Sequence, residues 1–488
     1  MTADKRLTPR EQDFAAWYNE VVLRAELADY SPVRGSMVIR PWGFGIWERM
    51  QAALDQMFKD TGHENAYFPL LIPQSFIEKE AEHIEGFKPE LAVVTHAGGR
   101  DLEEPLVIRP TSETIIYSMY AKWVQSYRDL PILLNQWANV MRWELRTRLF
   151  LRTAEFLWQE GHTAHATADE AQEETLRILG VYRDFMEQWV AMPVVTGLKT
   201  DSERFAGAVR TYSLEALMQD NRALQAGTSH FLGQNFSRQF DLKFQSVEGR
   251  EEYAWNTSWG VSTRMVGGLV MTHGDDDGIV VPPRLAPTQV VVVPIVKGGD
   301  ARAEAIHRKA EELRAILADQ GVRAKVDRRS HLSPGAKFYE WERKGVPFRM
   351  ELGPRDLDKE QVVLVRRIPL EDGRKKEFLS QPHAVATLPD RLESLQRDLF
   401  RRATVRREEN SYRGVSEWDE MTEILETRGG FVYTGWSGDP TVEERAKDEM
   451  KATIRAIPSE EFRSTPAPTT CIGGGRASKM EVVWARAY

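Results

Sequence analysis

The chain has 488 residues, 42% hydrophobic and 28% charged, an ordinary globular composition that is too long for one core and divides into roughly two to four domains. Its 65 basic and 73 acidic residues leave a net charge of −8, which excludes a generally basic nucleic-acid coat but not a local basic groove. The single cysteine, Cys471, excludes an intrachain disulfide and a cysteine zinc set; with no run of ~18 apolar residues and no signal-like N-terminus, the sequence predicts a cytoplasmic protein without membrane spans.

In chain order, residues 11 to 30 place Phe14, Trp17, Tyr18, Val21, Val22 and Ala25 at helical spacing and predict an amphipathic packing helix. A short strand leads to Pro41, and a helix follows with Ile46, Met50, Leu54, Met57 and Phe58 on one side, ending near Gly62. That helix fits a core or a subunit interface. An apolar strand is predicted from Ala66 to Ile72. RPTSET, residues 109 to 114, follows the apolar Pro105 to Ile108 and precedes a helix. Thr111 or Ser112 can cap that helix, with Glu113 favoured in its first turn by the dipole. Alternatively, the loop presents a hydroxyl and a carboxylate to a small cationic ligand.

Residues 135 to 167, NQWANVMRWELRTRLFLRTAEFLWQEGHTAHAT, read as two amphipathic strands joined by an arginine-rich turn. If Ala138 to Arg146 is extended, the period of two puts Arg142, Glu144 and Arg146 on one face and Met141, Trp143 and Leu145 on the other. On the return strand Arg152, Phe156, Trp158, Glu160 and His162 share a face. A structural hairpin with a solvated face needs less charge and less aromatic surface than this.

A scaffold helix is predicted from Ala168 to Val190. GTSHFLGQNF, residues 227 to 236, is a glycine-bounded polar segment whose His230 is either a structural residue or a ligand contact. Residues 255 to 278, WNTSWGVSTRMVGGLVMTHGDDDG, predict strand, turn and helix, with Ser262 at the turn and Arg264 in the first helical turn. Gly267 and Gly268 would let another backbone pack closely. An arginine there opposes the helix dipole, so it points to an anion shared by the guanidinium and the free N–H groups.

VVPPRLAPTQ, residues 280 to 289, is a proline-rich boundary. Beyond it strands Val290 to Ile295, Val322 to Asp327, Phe348 to Leu352 and Val362 to Arg366 alternate with helices Ala301 to Asp319 and Pro334 to Lys344, predicting a small sheet with helices packed on it. Arg323, Lys325, Arg328, Arg329, Lys337, Arg349 and Arg355 cluster there, as a solvated basic face or an RNA contact. The last hundred residues begin with a charged helix through RRATVRREENSY and end in an apolar strand, MEVVWARAY.

Arg142, Glu144, Phe156 and Arg264 together make a nucleoside triphosphate site. There is no glycine-rich phosphate loop of the Walker kind, so side chains must hold the phosphates, a task the arginine fork suits. Glu144 suits magnesium or an adenine amino group.

These stretches resemble the class II aminoacyl-tRNA synthetases, and specifically the prolyl-tRNA synthetases of archaeal and eukaryotic type, over nearly the whole chain. SPVRGSMVIRPWGFGIWERMQ is similar to the family's first motif, RWE with FLRTAEFLWQEGHT to its second, and WGVSTRMVGGLVMTHGDDDG to its third. RPTSET, GTSHFLGQNF and GPRDL at residues 353 to 357 match as well. The resemblance implies an α+β multidomain fold: a catalytic domain on an antiparallel sheet over residues 1–285, an α/β anticodon-binding domain over 286–395 and a small α+β C-terminal domain over 396–488. It implies ligation of L-proline to tRNA(Pro) through a prolyl-adenylate, by a homodimer, with ATP as substrate and Mg2+ between the phosphates. By matching motifs, Arg142 grips the α-phosphate and the proline carboxylate, Arg264 grips the γ-phosphate, and Phe156 stacks on adenine. Glu144, Thr153, Gln225 and Thr228 match the remaining ATP contacts, while Thr111, Glu113, His230 and Ser262 match the proline pocket. Arg349 and Arg355 are candidates for reading the two guanines shared by proline anticodons. The final Tyr488 resembles the family's terminal tyrosine, whose carboxylate lies near the catalytic domain.

Two departures stand out. Where many relatives hold zinc with four cysteines, this chain has Ser437, Val442, Cys471 and Gly473, so apolar packing and no zinc are expected. About 90 residues separate His162 from Trp255, too few for the editing domain of bacterial-type relatives. A hydrophobic pocket resolves small size differences by only ~1–3 kcal/mol, so mischarging with alanine or cysteine is expected. The alternative is a noncatalytic tRNA-binding paralogue, but such proteins usually lose an ATP-binding arginine, and both Arg142 and Arg264 are present. The nearest rival enzyme is a sister synthetase for threonine or histidine; a threonine enzyme would bring a histidine and cysteine zinc set that Cys471 alone cannot supply.

Overall fold

The computed structural model describes residues 6–83, 91–144, 146–296 and 301–488. A mainly antiparallel sheet of eleven strands organises it. At its centre lie, side by side, Val194–Leu198, Arg210–Leu217, Ala223–Gly233, Trp255–Ser262, Glu155–His165 and Ile132–Met141, each antiparallel to its neighbour. The helix Ala168–Gln188 covers one face of this sheet and buries Ile178, Tyr182, Phe185 and Met186. A capping box starts it: Thr167 accepts from the Glu170 N–H, and the Glu170 carboxylate accepts from the Thr167 N–H at 3.1 Å. Trp259 faces this helix, and Gly161 opposite it is required, because a Cβ there would lie 2.1 Å from the indole. The other face of the sheet is left open as a cavity.

Residues 290–380 form a separate five-stranded sheet, with Val290–Pro294 parallel to both Ala324–Val326 and Phe348–Leu352, and Gln361–Arg366 and Lys376–Ser380 added antiparallel. Helices Ala303–Asp319 and Pro334–Arg343 belong to this unit, as alternation predicted. The seam between the two units combines apolar packing of Trp42 on Trp341 with polar ties: Arg367 grips the Asp275 carboxylate through both terminal nitrogens, at 2.5 and 2.7 Å, and the Trp42 indole donates to the Lys344 carbonyl at 2.9 Å.

Several expectations change. The helix expected over residues 11 to 30 occupies only Phe14–Arg24, and Ala28–Tyr30 pairs with Met37–Ile39 instead. Ala66 to Ile72 is not one strand; Glu64–Asn65 joins the central sheet and Leu71–Pro73 a separate three-stranded one. The first hairpin strand stops at Met141, so Arg142, Glu144 and Arg146 leave the ladder and parity does not decide their direction. Leu145 lies outside the described residues. Gly267 and Gly268 accommodate side chains rather than a backbone: a Cβ on Gly267 would meet Leu151 at 2.6 Å and the Tyr18 hydroxyl at 2.8 Å.

The division at 395/396 falls within a continuous helix, Gln381–Glu409. The last ninety residues do not build an isolated sheet either. Thr453–Pro458 pairs with Val194–Leu198, so Met480–Ala485 and Phe431–Trp436 extend the central sheet. Sequence periodicity identifies a strand but says nothing of its partner, and pairing is what merges these units.

Candidate active site

The cavity, of about 270 Å³, opens on the sheet face opposite the helix Ala168–Gln188. Nine of the residues singled out by motif line it: Thr111, Glu113, Arg142, Phe156, Gln225, Thr228, His230, Ser262 and Arg264. On the strand Glu155–His165 parity holds, since Phe156, Trp158, Glu160 and His162 all face the cavity. Gln225 and Thr228 differ in parity yet both line it. The cause is a bulge: Glu215 pairs with Gln225 and Leu214 with Gly227, so Ala226 is left over and the phase shifts by one.

One end of the cavity is acidic and fully buried. Glu160 accepts hydrogen bonds from Ser112 Oγ at 2.5 Å and from Gln136 Nε2 at 2.9 Å, and its second oxygen lies 3.0 Å from His162 Nε2. Burial pushes the Glu160 carboxyl up, but His162, Ser112 and Gln136 outweigh it, so the net shift is downward. Burial likewise disfavours the His162 cation, while Glu160 and the Glu113 charge reverse the balance and raise its pKa. Ser112 stands at the helix start but makes no side-chain cap; its hydroxyl serves Glu160 instead. Thr111 Oγ1 donates to the Glu113 carboxylate, which sits in the first turn of the helix Glu113–Trp123. His230 takes the opposite course to His162: burial lowers its pKa to about 3, so it is neutral, sharing a hydrogen bond of 3.0 Å with Thr211 Oγ1 and packing against the Phe205 ring.

The other end is cationic. Arg142 donates from Nε to the Pro110 carbonyl at 2.9 Å, and its guanidinium carbon lies 5.7 and 5.5 Å from the Phe156 and Trp158 ring centres. Arg264 begins the helix Arg264–His273, whose N-cap Thr263 makes no side-chain cap, and its Nε donates to the Leu151 carbonyl at 3.2 Å. Burial lowers the pKa of both arginines; for Arg264 the positive charges of Arg142 and Arg152 add to the effect, whereas for Arg142 the Glu113 and Glu160 charges oppose it. Neither forms a salt bridge among the described residues. Two cations held together without a partnering carboxylate make an anion site. Three buried polar atoms on the cavity face, Trp158 Nε1, His162 Nδ1 and Ser258 Oγ, have no hydrogen-bond partner among the described residues and are available to a ligand.

Two motif residues fall outside the cavity lining. Glu144 accepts from Arg152 Nε at 2.5 Å, and Thr153 Oγ1 donates to the Glu155 carbonyl at 2.8 Å. Glu203, Phe205 and Thr211, which belong to none of the motifs, also line the cavity, from a stretch without a legible period. The pairing of Thr211 with His230 across adjacent strands brings that stretch in.

Elsewhere, Arg349 is held by Glu351 at 2.9 Å and packs over the Phe338 ring, beside a small cleft lined by Glu342, Arg366 and Arg367; Arg355 is exposed on the short helix Pro354–Asp358. The basic cluster is largely neutralised, with Arg329 and Lys337 turned onto Asp327 and Arg328 onto Glu311. Arg323 instead donates to the carbonyls of Pro283, Arg284 and Ala286 at the domain seam. At the positions aligned with zinc ligands, Cys471 Sγ donates to Ser437 Oγ at 3.4 Å, and a Cβ on Gly473 would meet Val442 at 2.6 Å. One thiol, one hydroxyl and two apolar positions do not fit tetrahedral zinc.

Comparison with known proteins shows the family. Residues 93–273 match the tRNA synthetase class II core domain (G, H, P, S and T), residues 289–391 the anticodon binding domain, and residues 418–488 the prolyl-tRNA synthetase C-terminal domain. The chain is 55% identical over 490 residues to a proline–tRNA ligase of Chlorobium phaeovibrioides, covering 100% of both chains. It is 55% identical over 489 residues to one of Chloroherpeton thalassium, covering 99% of this chain and 100% of that one. Among solved structures it is similar to the prolyl-tRNA synthetase from Cryptosporidium parvum complexed with halofuginone and AMPPNP, with a TM-score of 0.92 and 39% identity, over 99% of this chain and 97% of that one.

Proposed function

Because the chain belongs to the proline–tRNA ligase family, whose members join proline to tRNA using ATP, we propose a division of labour within its cavity. The carrying observation is that the cavity is bipolar: a carboxylate and histidine end faces a pair of arginines that form no salt bridge among the described residues. The acidic end takes the secondary ammonium of proline, with Glu113 and Thr111 as acceptors and His230, Ser262 and the Glu160–His162 pair enclosing the ring. The cationic end takes the triphosphate, with Arg142 on the α-phosphate and the proline carboxylate, Arg264 on the γ-phosphate, Phe156 against adenine, and Gln225 and Thr228 along the nucleotide. Glu144 and Thr153, one shell back, support this end by holding Arg152 and the start of the strand Glu155–His165.

The chemistry then follows. A proline carboxylate, with a reference pKa of about 3.5, is already ionised at neutral pH, so adenylate formation needs no general base. It needs the carboxylate aligned on the α-phosphorus and the growing charge on the phosphate oxygens neutralised. Arg142, between the two reactants, meets both needs. A magnesium ion bound with the nucleotide would supply further charge neutralisation beside Arg142 and Arg264. In the second step a ribose hydroxyl of tRNA attacks the prolyl carbonyl, the bond to the AMP phosphate breaks, and the hydroxyl proton passes to the departing phosphate.

Other features support finer readings. Tyr30, Val33, Val38 and Phe44 of the first-motif region are exposed, which favours a homodimer that covers them. The full-length likeness to a eukaryotic enzyme and the short spacing between second and third motifs support the archaeal/eukaryotic-like type. The misfit at Ser437, Val442, Cys471 and Gly473 supports a zinc-less C-terminal region. Arg349 and Arg355 lie within the residues that match the anticodon binding domain, which supports assigning them to guanine edges. Proline-dependent exchange of pyrophosphate into ATP tests the whole scheme: exchange with proline is expected, and silence with proline beside a signal with another amino acid overturns it.

A further inference from the structure

The bulge that turns Gln225 toward the cavity rests on a buried carboxylate whose partners come from two different units. Glu215, directly opposite Gln225, shares its face of the sheet. Its Oε1 accepts from Lys199 Nζ at 2.9 Å, and its Oε2 accepts from Arg455 Nε at 3.0 Å and Nη2 at 2.9 Å. Lys199 Nζ also donates to the Arg455 carbonyl at 2.7 Å, which closes the triad. The side chains are 1%, 1% and 9% exposed, in the order Lys199, Glu215, Arg455. Lys199 belongs to the catalytic half, while Arg455 stands on Thr453–Pro458, the strand by which the C-terminal unit joins the central sheet. A second tie lies two residues before Gln225, where the Ala223 N–H donates to the Arg486 carbonyl at 2.8 Å.

We propose that Arg455 is a positioning residue for ATP: through Glu215 it holds the bulge opposite Gln225 in the phase that aims Gln225 and Thr228 into the nucleotide end of the cavity. The C-terminal unit thereby completes the active site without touching substrate, a role that needs its strand pairing and not a metal. A one-residue slip at a bulge moves every later side chain to the other face, so a side chain that fixes the bulge fixes which residues line the site. The charges of Glu215 and Arg455 also act on Arg264, in opposite senses, so the triad sits within electrostatic reach of the γ-phosphate end. Among the described residues no hydrogen bond or salt bridge connects Arg455 to the proline end, where Thr111 bonds Glu113, and Ser112 and His162 bond Glu160.

This inference rests on the assignment of Gln225 to ATP, and its test separates the two. Pyrophosphate exchange is measured with ATP and proline varied independently, for the wild-type enzyme and for Gln225→Ala, Arg455→Lys, Arg455→Met and, if Arg455→Met fails to fold, Arg455→Gln; in each Arg455 variant Lys199 still pairs the buried Glu215 carboxylate. Arg455→Met, or Arg455→Gln in its place, raises KM for ATP about tenfold while KM for proline stays within about twofold, and Arg455→Lys recovers part of the loss. Equal changes in both KM values, or none, in folded protein overturn the proposal while Gln225→Ala still raises KM for ATP. If Gln225→Ala leaves KM for ATP unchanged, the nucleotide assignment falls, and the proposal falls with it.

Discussion

His162 presents Nε2 to Glu160 Oε2 at 3.0 Å inside the sheet, while its Nδ1 has no partner among the described residues. Burial works against the imidazolium and Glu160 works for it, and the attraction wins. A histidine whose folded pKa is raised contributes stability that is fully present below the unfolded value of about 6.5 and is lost as pH rises through the folded value. Glu160→Gln removes the hydrogen bond and the Glu160 charge and leaves burial opposed by the Glu113 charge alone, so the His162 pKa should fall from its wild-type value. Titration of its imidazole proton resonances in both proteins checks this, and an unchanged or higher value in the variant would contradict it.

Replacing Arg142 tests the arginine pair. Arg142→Ala should lower proline-dependent exchange by about 10²–10³-fold, the usual loss when a donor to developing charge is removed. Arg142→Lys should recover little, because a point charge cannot make the two-point contact of a guanidinium or stack between Phe156 and Trp158. Circular dichroism should remain unchanged; a collapse of the fold would mean the residue is structural.

Three buried histidines make the folded protein acid-sensitive. Burial lowers the pKa of His165 to about 4 and those of His230 and His273 to about 3. The unfolded chain takes up protons at these positions near pH 6.5 and the folded chain does not, so stability is present above pH 6.5 and lost as pH falls from there toward 4. Each contributes a slope of about 1.4 kcal/mol per pH unit across that window. His273, which bonds the Val190 carbonyl at 2.8 Å and lies outside the cavity lining, is the clean probe. His273→Gln should flatten the melting temperature's dependence on pH between 6.5 and 4; an unchanged slope rules out its share.

The two steps of the reaction should separate at the anticodon-binding unit. Arg355→Ala and Arg349→Ala should leave pyrophosphate exchange intact and reduce aminoacylation of tRNA(Pro) by about 1–3 kcal/mol in kcat/KM for each lost guanine contact. Arg355 is exposed and free to reach a base, whereas Arg349 must share its guanidinium with Glu351, so the Arg355 change should be the larger. Equal charging of transcripts with and without the anticodon guanines by wild-type enzyme would refute both assignments.

Elemental analysis of purified protein should find no stoichiometric zinc, and chelators should leave the melting temperature unchanged. Cys471→Ser should be tolerated with a loss of about 1 kcal/mol, since the buried thiol packs in the apolar core of the C-terminal region and its Sγ donates to Ser437 Oγ, a bond a hydroxyl can keep. Zinc at one equivalent per chain would overturn the reading of this region.

By itself the sequence determined the local elements and the chemistry they carry. The period of two on Glu155–His165 set the cavity face from Phe156 to His162, and Arg264 at a helix start announced an anion, because periodicity and helix ends are short-range properties of the backbone. Tertiary structure decided what strand pairing alone can bring about. Arg142 lies past the end of its strand and is aimed by the Pro110 carbonyl and two aromatic rings, not by parity. Thr211 joins His230, and Arg455 joins Glu215 from 240 positions away, through ladders whose register no local pattern encodes. A strand's hydrophobic rhythm tells which way its side chains point, but the neighbour it pairs with is selected by the whole folded chain, and at this site that choice supplies the residues the motifs alone did not connect.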